Sequence, residues 1–331
     1  MRPSKIATGL LKYKNTLDSF IAKKDVRVPH YKLYWDCLWA RIRYGCVLNH
    51  YTLGNFYKRK GWERKKIFTY RDWLRIIPTA NDSKYIDLLE DKSKFSKLFH
   101  NFLGRDVLSS ENMSFDEFCA FATKNRVAFI KPLCGWEGEG IHLLTLPPPI
   151  NQTELKNLFT DLKHQHVIIE ERLTQHPEMV FGNNSINTIR AYTIYDNNSD
   201  KVFILKTVLR VGVGDSIVDN SHSGGCAYEV DKENGYIISP YYRSDGSSEY
   251  IHPQTGICML GKQIPQWDNV TGLICKAAKL IPQCRLIGWD VAITPHGPVL
   301  IEGNHNPDLD MIEFVGSHGY RDLIYRHLNL I

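Results

Sequence analysis

The spacing of apolar residues divides the chain into a helical first part and a mixed remainder. From residue 1 to about residue 77, apolar side chains recur every three or four positions, most clearly in the aromatic run 31–42. That spacing is typical of one face of a helix. Further helices are predicted over about 84–102, from Ser114 onward, over about 153–164 and over about 267–281. The residues from Ser114 to Glu117 fit a capping box, which marks the start of its helix.

Strand patterns fill most of the remainder. The composition of 126–133 predicts a strand, and the glycine-rich run 135–140 leads from it into a second strand over 141–146. Segment 167–173 predicts a buried strand that ends in carboxylates. Hairpins are predicted for 185–195 with 201–213, around 231–235, and over 287–304. The pattern thus predicts one glycine loop between two strands, followed by three hairpins.

The composition is that of a folded soluble protein. The 331 residues are 43% hydrophobic and 23% charged, which excludes disordered, collagen-like and coiled-coil chains. At this length a single core stops growing, so we expect two or three subdomains that share a cleft. The sequence has no run of roughly 18 apolar residues and no signal-peptide pattern, so we expect a cytoplasmic protein. The eight cysteines include no CxxC pair, which favours free thiols.

The charge is distributed unevenly along the chain. Residues 1–75 contain 18 Lys/Arg against 5 Asp/Glu, a balance of +13, whereas the remainder has 23 against 31. The basic part also carries aromatic residues, which suits contact with phosphates, an anionic membrane surface or a polyanionic glycan. The alternative is a solvated basic helix face whose aromatic residues form a core. The first 75 residues are therefore predicted to be a separate module or surface.

Two carboxylates of the last predicted hairpin indicate a metal site. A short loop centred on His296 would place Asp290 and Glu302 directly opposite each other on neighbouring strands. Like charges so placed, with Cβ atoms about 4.5–5.5 Å apart, are destabilising, and a divalent cation would relieve this. Asn304 lies on the same strand face as Glu302 and adds an oxygen ligand. Such a set suits magnesium or manganese bound with a nucleotide triphosphate, although an acidic hairpin on a wet face is the alternative.

The glycine loop is a candidate phosphate site. Gly135, Gly138 and Gly140 would let backbone amides approach a phosphate without obstruction by side chains. The run matches neither GxGxxG nor GxxxxGK[ST], so an ordinary hairpin turn is the alternative. Lys131 strengthens the phosphate hypothesis, because an ammonium on an apolar strand needs an anion as its partner.

The strand over 167–173 ends in residues suited to adenosine. Glu170 and Glu171 could accept hydrogen bonds from an adenine amino group and a ribose, Leu173 offers backbone groups, and Glu178 follows slightly later. The alternative is that these glutamates are simply solvated at the end of the strand.

Three cations are predicted to share one sheet face. Lys206 and Arg210 have the same parity on one strand, and Arg190 lies on its hairpin partner. Their convergence suggests binding of polyphosphate and carboxylate groups.

This order of elements resembles the ATP-grasp superfamily. More narrowly, the segments VIIEERLTQHPEM and GWDVAITPHGPVLIEGNHNPDLD are similar to the sugar-transfer-associated ATP-grasp family, which is related to the TupA-like group. The resemblance covers about residues 85–330. It implies an α+β ATP-grasp fold in which two α+β subdomains, 85–170 with the glycine-rich lid and 171–331 with the metal site, clamp ATP. A helical, basic module over 1–84 precedes them.

The resemblance also implies roles for single residues. Lys92, Lys131 and Lys206 would contact ATP phosphates, with Lys94 and Lys97 as alternatives to Lys92. The run 135–140 would form the lid. Residues expected around adenosine are Glu170, Glu171, Leu173 and Glu178, and those expected to hold magnesium are Asp290, Glu302 and Asn304. Many superfamily members have Glu-x-Asn-x-x-Pro-Gly, whereas this chain has Asp308 after Pro307.

The activity implied by the resemblance is an ADP-forming carboxylate-amine ligase that acts through an acylphosphate. Arg190 and Arg210 would orient the carboxylate or stabilise the transferring phosphoryl group. The acceptor would be a sugar acid of a cell-surface or capsular polysaccharide, joined to an amino acid. The module could hold a polyanionic or lipid-linked glycan at the inner membrane face. The candidates for lining the acceptor pocket are Asp219, Asn220, His222, Gly224 and Gly225. The alternative is that these residues form a tight surface loop. A kinase on the same fold and a nucleic-acid-binding protein that uses the basic module are the alternatives.

Overall fold

The computed structural model describes residues 5–24, 28–135, 140–146, 151–182, 185–214, 225–316 and 319–330. Within these ranges, helices at the start of the chain are followed by two antiparallel sheets of four and seven strands. The expected α+β class is thereby confirmed.

The first part of the chain is helical, as predicted. Its helices are α1 (Lys5–Lys24), α2 (His30–Tyr44), α3 (Leu48–Leu53), α4 (Gly61–Lys66) and α5 (Tyr70–Ala80). Helices α1–α4 are here called the N-terminal module, and α1–α3 share a core around the fully buried Leu17, Tyr51 and Phe56. Helix α5 packs instead against the seven-stranded sheet through Ile76 and Ile77. No helix in the described ranges combines the length and apolar character needed to cross a bilayer.

Helix α2 presents its aromatic residues to solvent. Leu33, Cys37 and Ala40 face the core of the module. The opposite side of the helix carries the α2 stripe, which consists of Tyr31, Trp35, Leu38, Trp39 and Ile42. These side chains are 42–69% exposed. The hypothesis that the aromatic run forms a core is therefore wrong for these residues.

The helix predicted over 84–102 is divided into three, α6 (Asp87–Glu90), α7 (Lys92–Leu98) and α8 (His100–Leu103). The break after α6 occurs because the Asp91 carboxylate accepts the backbone N–H groups of Ser93 and Lys94, which starts a new helix. Phe95 and Phe99 pack into the core of the seven-stranded sheet. These helices thus pack with the larger sheet, although the sequence grouped them with the glycine loop.

The four-stranded sheet contains β1 (Val107–Ser109), β2 (Val127–Pro132), β3 (His142–Thr145) and β4 (Val167–Glu171), in the order β1-β4-β2-β3. Helices α9 (Phe115–Lys124) and α10 (Gln152–Lys163) pack on it around Phe118 and Ile169. The predicted capping box of α9 is present. Ser114 N–H donates to the Glu117 carboxylate at 2.7 Å, and Glu117 N–H donates to Ser114 Oγ at 3.2 Å.

The seven-stranded sheet has the order β11-β10-β5-β6-β7-β8-β9. Its strands are β5 (Thr188–Asp196), β6 (Lys201–Val211), β7 (Cys226–Val230), β8 (Ile237–Tyr242), β9 (Ser248–Glu249), β10 (Leu286–Thr294) and β11 (Gly297–Asn304). All three predicted hairpins are therefore confirmed. The pairing of β10 with β5 brings the last hairpin next to the basic one.

Both faces of this sheet are covered by helices. On one face, α11 (Trp267–Leu280) and α6–α8 pack around Trp289 and Leu209. On the other, α5, α12 (Leu309–Phe314) and α13 (Arg321–His327) pack around Tyr192 and Val208. Because side chains alternate along a strand, this second face also carries Arg190.

Candidate functional site

The last hairpin pairs the two predicted carboxylates. Asp290 is the cross-strand partner of Glu302, as predicted, and Gly288 is the partner of Asn304. The loop differs from the expected three-residue one, because Thr294 pairs with Gly297 and leaves a two-residue turn. A β-bulge then leaves Ile301 between the pairs Asp290–Glu302 and Val291–Leu300. This extra residue compensates for the shorter turn.

Asp290 is enclosed by two guanidinium groups. Its carboxylate, on a residue that is 3% exposed, accepts Arg190 Nε and also Arg190 Nη2 at 2.8 Å, and Arg210 Nη1 donates to it at 2.9 Å. Burial alone would raise the pKa of Asp290, but Arg190 and Arg210 outweigh it and hold that pKa well below its usual range. The expectation that a cation must relieve the repulsion is thus corrected, since the arginines already supply positive charge.

Glu302 is the accessible member of the pair. Its side chain is 52% exposed, and its Oε1 lies 3.8 Å from Arg190 Nη2. Partial desolvation by the surrounding protein, and next the negative charge and hydrogen bond of Asp290, raise the pKa of Glu302 despite Arg190. A ligand would therefore meet Glu302 before Asp290.

The oxygen ligands present fit magnesium. Three N–H donors use three of about four acceptor positions on Asp290, and the remaining position on Oδ1 is the one that Glu302 or a metal ion could use. Asn304 Oδ1 accepts one bond, from the Asn306 N–H at 2.8 Å, and keeps its second lone pair. In the ranges that the structure describes, no cluster of three His, Cys, Asp or Glu could hold a metal. A Mg²⁺ ion that completes its shell with phosphate and water is compatible with these residues.

Lys131 has a protein anion as its partner. Its Nζ lies 2.7 Å from Glu170 Oε2, and the same oxygen accepts Arg105 Nε at 3.1 Å. Burial would raise the pKa of Glu170, but Arg105 and Lys131 lower it to about 2. The prediction that Lys131 needs an anion is confirmed, with a glutamate in that position. Because Lys131 is 16% exposed in its side chain, one side of it remains open.

Lys92 lies between the charged groups around Lys131 and those around Glu302 in electrostatic terms. Its backbone N–H donates to Leu133 O at 3.1 Å, and its Nζ lies 3.4 Å from Gly135 O. Burial lowers the pKa of Lys92, Glu302 raises it and Lys131 lowers it, so Glu302 and Lys131 both lie within electrostatic range of Lys92. The alternative Lys94 is paired with Asp87 on the surface. The structure therefore brings Lys92, and not Lys94, to the start of the glycine loop.

Lys206 lies away from this group. It is 2% exposed, its Nζ donates to Ile312 O at 3.0 Å and to Val315 O, and Glu229 lies 3.7 Å away. Burial lowers the pKa of Lys206 to about 8, although Glu229 and Glu313 oppose the shift. Lys206 shares the sheet face of Arg210, as predicted. The structure corrects its expected position at the phosphates, because the end of α12 covers it.

The other predicted residues are placed as follows. Glu171 Oε2 accepts the Asp106 N–H at 2.9 Å, Leu173 is half-buried and Glu178 is exposed. Gly140 adopts φ +72°, and a Cβ there would lie 2.8 Å from Pro132 Cγ, so the fold itself favours glycine at this position. Gly225 is buried and directly precedes β7. Five candidates lie outside the described residues: Gly138, Asp219, Asn220, His222 and Gly224.

Arg105 was missed from the sequence. Besides Glu170, it binds the other sheet, since its Nη1 donates to Leu300 O at 2.8 Å. Its side chain is 2% exposed, so its contacts are shielded from water. A single arginine between a helix and a short strand carries no pattern that would reveal it. The pairing of Glu90 in α6 with His305, which directly follows β11, at 2.8 Å is a second contact that the sequence did not reveal.

Comparisons with known proteins identify one family model and several similar solved structures. The model of the sugar-transfer-associated ATP-grasp family matches residues 74–327. No curated protein matches the chain. Solved structures of the ATP-grasp ligase PsnB are similar at 15% identity. The complex with its minimal precursor has a TM-score of 0.45 and covers 76% of this chain, which spans 64% of that one. The complex with precursor, Mg and ADP has a TM-score of 0.42, with coverages of 81% and 69%.

Proposed function

Because the chain belongs to the sugar-transfer-associated ATP-grasp family, we propose that it is an ATP-dependent carboxylate-amine ligase that forms ADP. The observation that supports this most strongly is that Lys92, whose Nζ lies 3.4 Å from Gly135 O at the start of the glycine loop, is within electrostatic range of both Lys131 and Glu302. Lys131 belongs to the small sheet and Glu302 to the large one. Such an arrangement suits a polyphosphate that binds cations on one side and a metal on the other.

In the first step, a carboxylate oxygen of the substrate attacks the γ-phosphorus of ATP. The bond from that phosphorus to the β-phosphate oxygen breaks, which gives ADP and an acylphosphate. Lys92 and Lys131 would hold the phosphates in line, with Glu170 keeping Lys131 in position. Magnesium or manganese held by Asp290, Glu302 and Asn304 would neutralise phosphate charge.

In the second step, an amine attacks the acyl carbon, inorganic phosphate leaves and the nitrogen loses a proton, which completes an amide. Arg190 and Arg210 are held by Asp290 beside Glu302, where they could orient the carboxylate or stabilise the transferring phosphoryl group. This chemistry requires positioning and charge, without a covalent enzyme intermediate. Glu171, Leu173 and Glu178 would surround adenosine, as the resemblance implies.

We further propose that the carboxylate belongs to a sugar acid of a cell-surface or capsular polysaccharide or its precursor, and that the amine is an amino acid. The reaction would take place in the cytoplasm, at the inner face of the membrane. The family's association with sugar transfer supports the acceptor class.

The test is ATP consumption by the purified protein with magnesium, an amino-acid mixture and a uronic-acid glycan, read by phosphate release and product mass. ADP formation that requires both carboxylate and amine, with the mass of a condensation product, is expected. A product heavier by a phosphoryl group, formed without an amine, would instead establish a kinase.

A further inference from the structure

The α2 stripe is an exposed apolar surface on an otherwise basic module. Trp35 is 69% exposed, Trp39 56% and Ile42 62%. The stripe runs over positions 31–42 along one side of the helix, a length of about 16 Å at 1.5 Å per residue. Contiguous exposed apolar patches of this kind mark interaction sites.

A basic groove adjoins the end of the stripe. It is a cavity of about 580 Å³ lined by residues that include Arg43, Trp62, Lys65, Lys66 and Arg75. In the part of the chain that the structure describes, none of these four cations lies within 4.0 Å of a carboxylate. The aspartates of the groove are instead paired with Arg321. The groove therefore offers uncompensated positive charge.

The groove begins where the stripe ends, at the C-terminal end of α2. Arg43, which lines the groove, directly follows Ile42 of the stripe. Arg71 Nη2 donates to Ile42 O at 2.6 Å and to Arg41 O at 3.0 Å, which fixes the groove wall to the end of α2. Lys66 lies over the Trp62 ring at 4.9 Å, so an exposed aromatic ring stands within the basic groove as well.

We propose that the α2 stripe and the groove dock on an anionic phospholipid bilayer. The stripe enters the boundary between headgroups and acyl chains, where tryptophan and tyrosine are favoured, and the groove binds lipid phosphates. A second copy of the chain fits less well, because a two-fold contact here would bring two basic grooves together. A soluble polyanion would use the groove but would leave five apolar side chains exposed. This surface is separate from the nucleotide site.

The test is sedimentation of the full chain with vesicles of phosphatidylcholine alone or mixed with phosphatidylglycerol, in the absence of ATP. We expect binding to the mixed vesicles that weakens with salt, together with quenching of tryptophan fluorescence by brominated lipid. The double variant Trp35→Ala/Trp39→Ala should lose binding by about tenfold or more. Lys65→Gln/Lys66→Gln should weaken binding by about tenfold and flatten its salt dependence.

The control is Ile238→Ala/Ile257→Ala, which removes two apolar side chains of similar exposure, 51% and 57%, outside the N-terminal module. It should bind as the wild type does, and circular dichroism shows whether each variant is folded. Absence of vesicle binding, with a dimer in analytical ultracentrifugation that the tryptophan variant dissociates, would overturn the proposal in favour of a second copy. Binding of soluble polyphosphate without vesicle binding would overturn it in favour of a polyanion. Either result leaves the ligase assay unaffected.

Discussion

Glu302 and Asp290 are cross-strand partners with different surroundings, and this difference separates their tasks. Asp290 is enclosed by Arg190 and Arg210, whereas half of the Glu302 side chain meets solvent. We therefore expect Asp290 to orient the arginines and Glu302 to meet the metal-nucleotide.

We predict that Glu302→Gln lowers ATP turnover by about 10²-fold or more, because the amide keeps the shape but not the charge. Its unfolding free energy should change by no more than about 0.5 kcal/mol, since the side chain is half exposed. Steady-state ATP consumption and denaturant unfolding measure the two effects. Glu249→Gln, at an exposed position of β9, is the control. Turnover equal to that of the wild type would contradict the metal assignment.

Lys131→Ala should weaken ATP binding by about tenfold, because a charge-assisted contact to phosphate is lost. Glu170 keeps Arg105 as a partner, so the fold should survive. Titration calorimetry with magnesium-ATP measures the affinity. The matched control is Lys156→Ala, an exposed lysine of α10. If both variants bind ATP as the wild type does, Lys131 does not contact the nucleotide.

The ion pairs of Glu170 should make the free energy of unfolding depend on pH in the acidic range. Its pKa falls from 4.5 to about 2 in the folded chain. A lowered carboxyl pKa stabilises the fold above pH 4.5, and that contribution, about 3 kcal/mol, is lost as the pH falls towards 2. Denaturant unfolding of Glu170→Gln should therefore show a smaller loss of stability over this interval than the wild type. Parallel curves for the two proteins would contradict the assignment.

Arg105 links elements that the sequence keeps apart. It lies between α8 and β1, yet it binds Glu170 of the small sheet and the Leu300 carbonyl of the large one. We predict that Arg105→Gln increases amide hydrogen exchange in β1 and β4, because both contacts are lost from a buried position. Exchange in β5 and β6 should be unchanged, which serves as the internal control. Uniformly faster exchange would indicate general destabilisation instead.

The secondary structure could be predicted where a local pattern determines it. The capping box of α9 and the hairpins form their hydrogen bonds within short stretches of sequence. The residues that determine these elements are therefore all visible in a local pattern. The helix over 84–102 was predicted as one because the capping role of Asp91 was overlooked. Strand parity correctly placed Lys206 on the face of Arg210. Strand parity does not reveal which element packs over a sheet face. Lys206 is covered by α12, more than a hundred residues later in the chain.

At the scale of the whole molecule, the placement of Lys131 and Glu302 within electrostatic range of Lys92 depends on how the two sheets meet. No local pattern encodes that arrangement, and only the resemblance implied it. The charge asymmetry was evident from composition, but the direction of the α2 stripe was not. A helical period predicts a face and leaves open whether that face is turned inward or outward.

Magnesium-ATP should stabilise the whole chain, since it would contact both sheets. At a concentration about a hundred times its Kd, the expected gain is about 2.7 kcal/mol, measured as a rise in thermal unfolding temperature. Chelation of the metal should remove most of the rise, and Lys131→Ala should reduce it. A rise that is unaffected by chelation would exclude the metal from the bound state.

The bulge at Ile301 links the length of the hairpin turn to the chemistry of the strand. Loss or gain of one residue in the turn at Pro295 and His296 would turn Glu302 and Asn304 towards the opposite face, where Trp289 is packed. The sheet could still form, but the carboxylate would no longer meet the nucleotide. Among descendants of this gene, a deletion in the turn would therefore persist only together with a compensating change at the bulge.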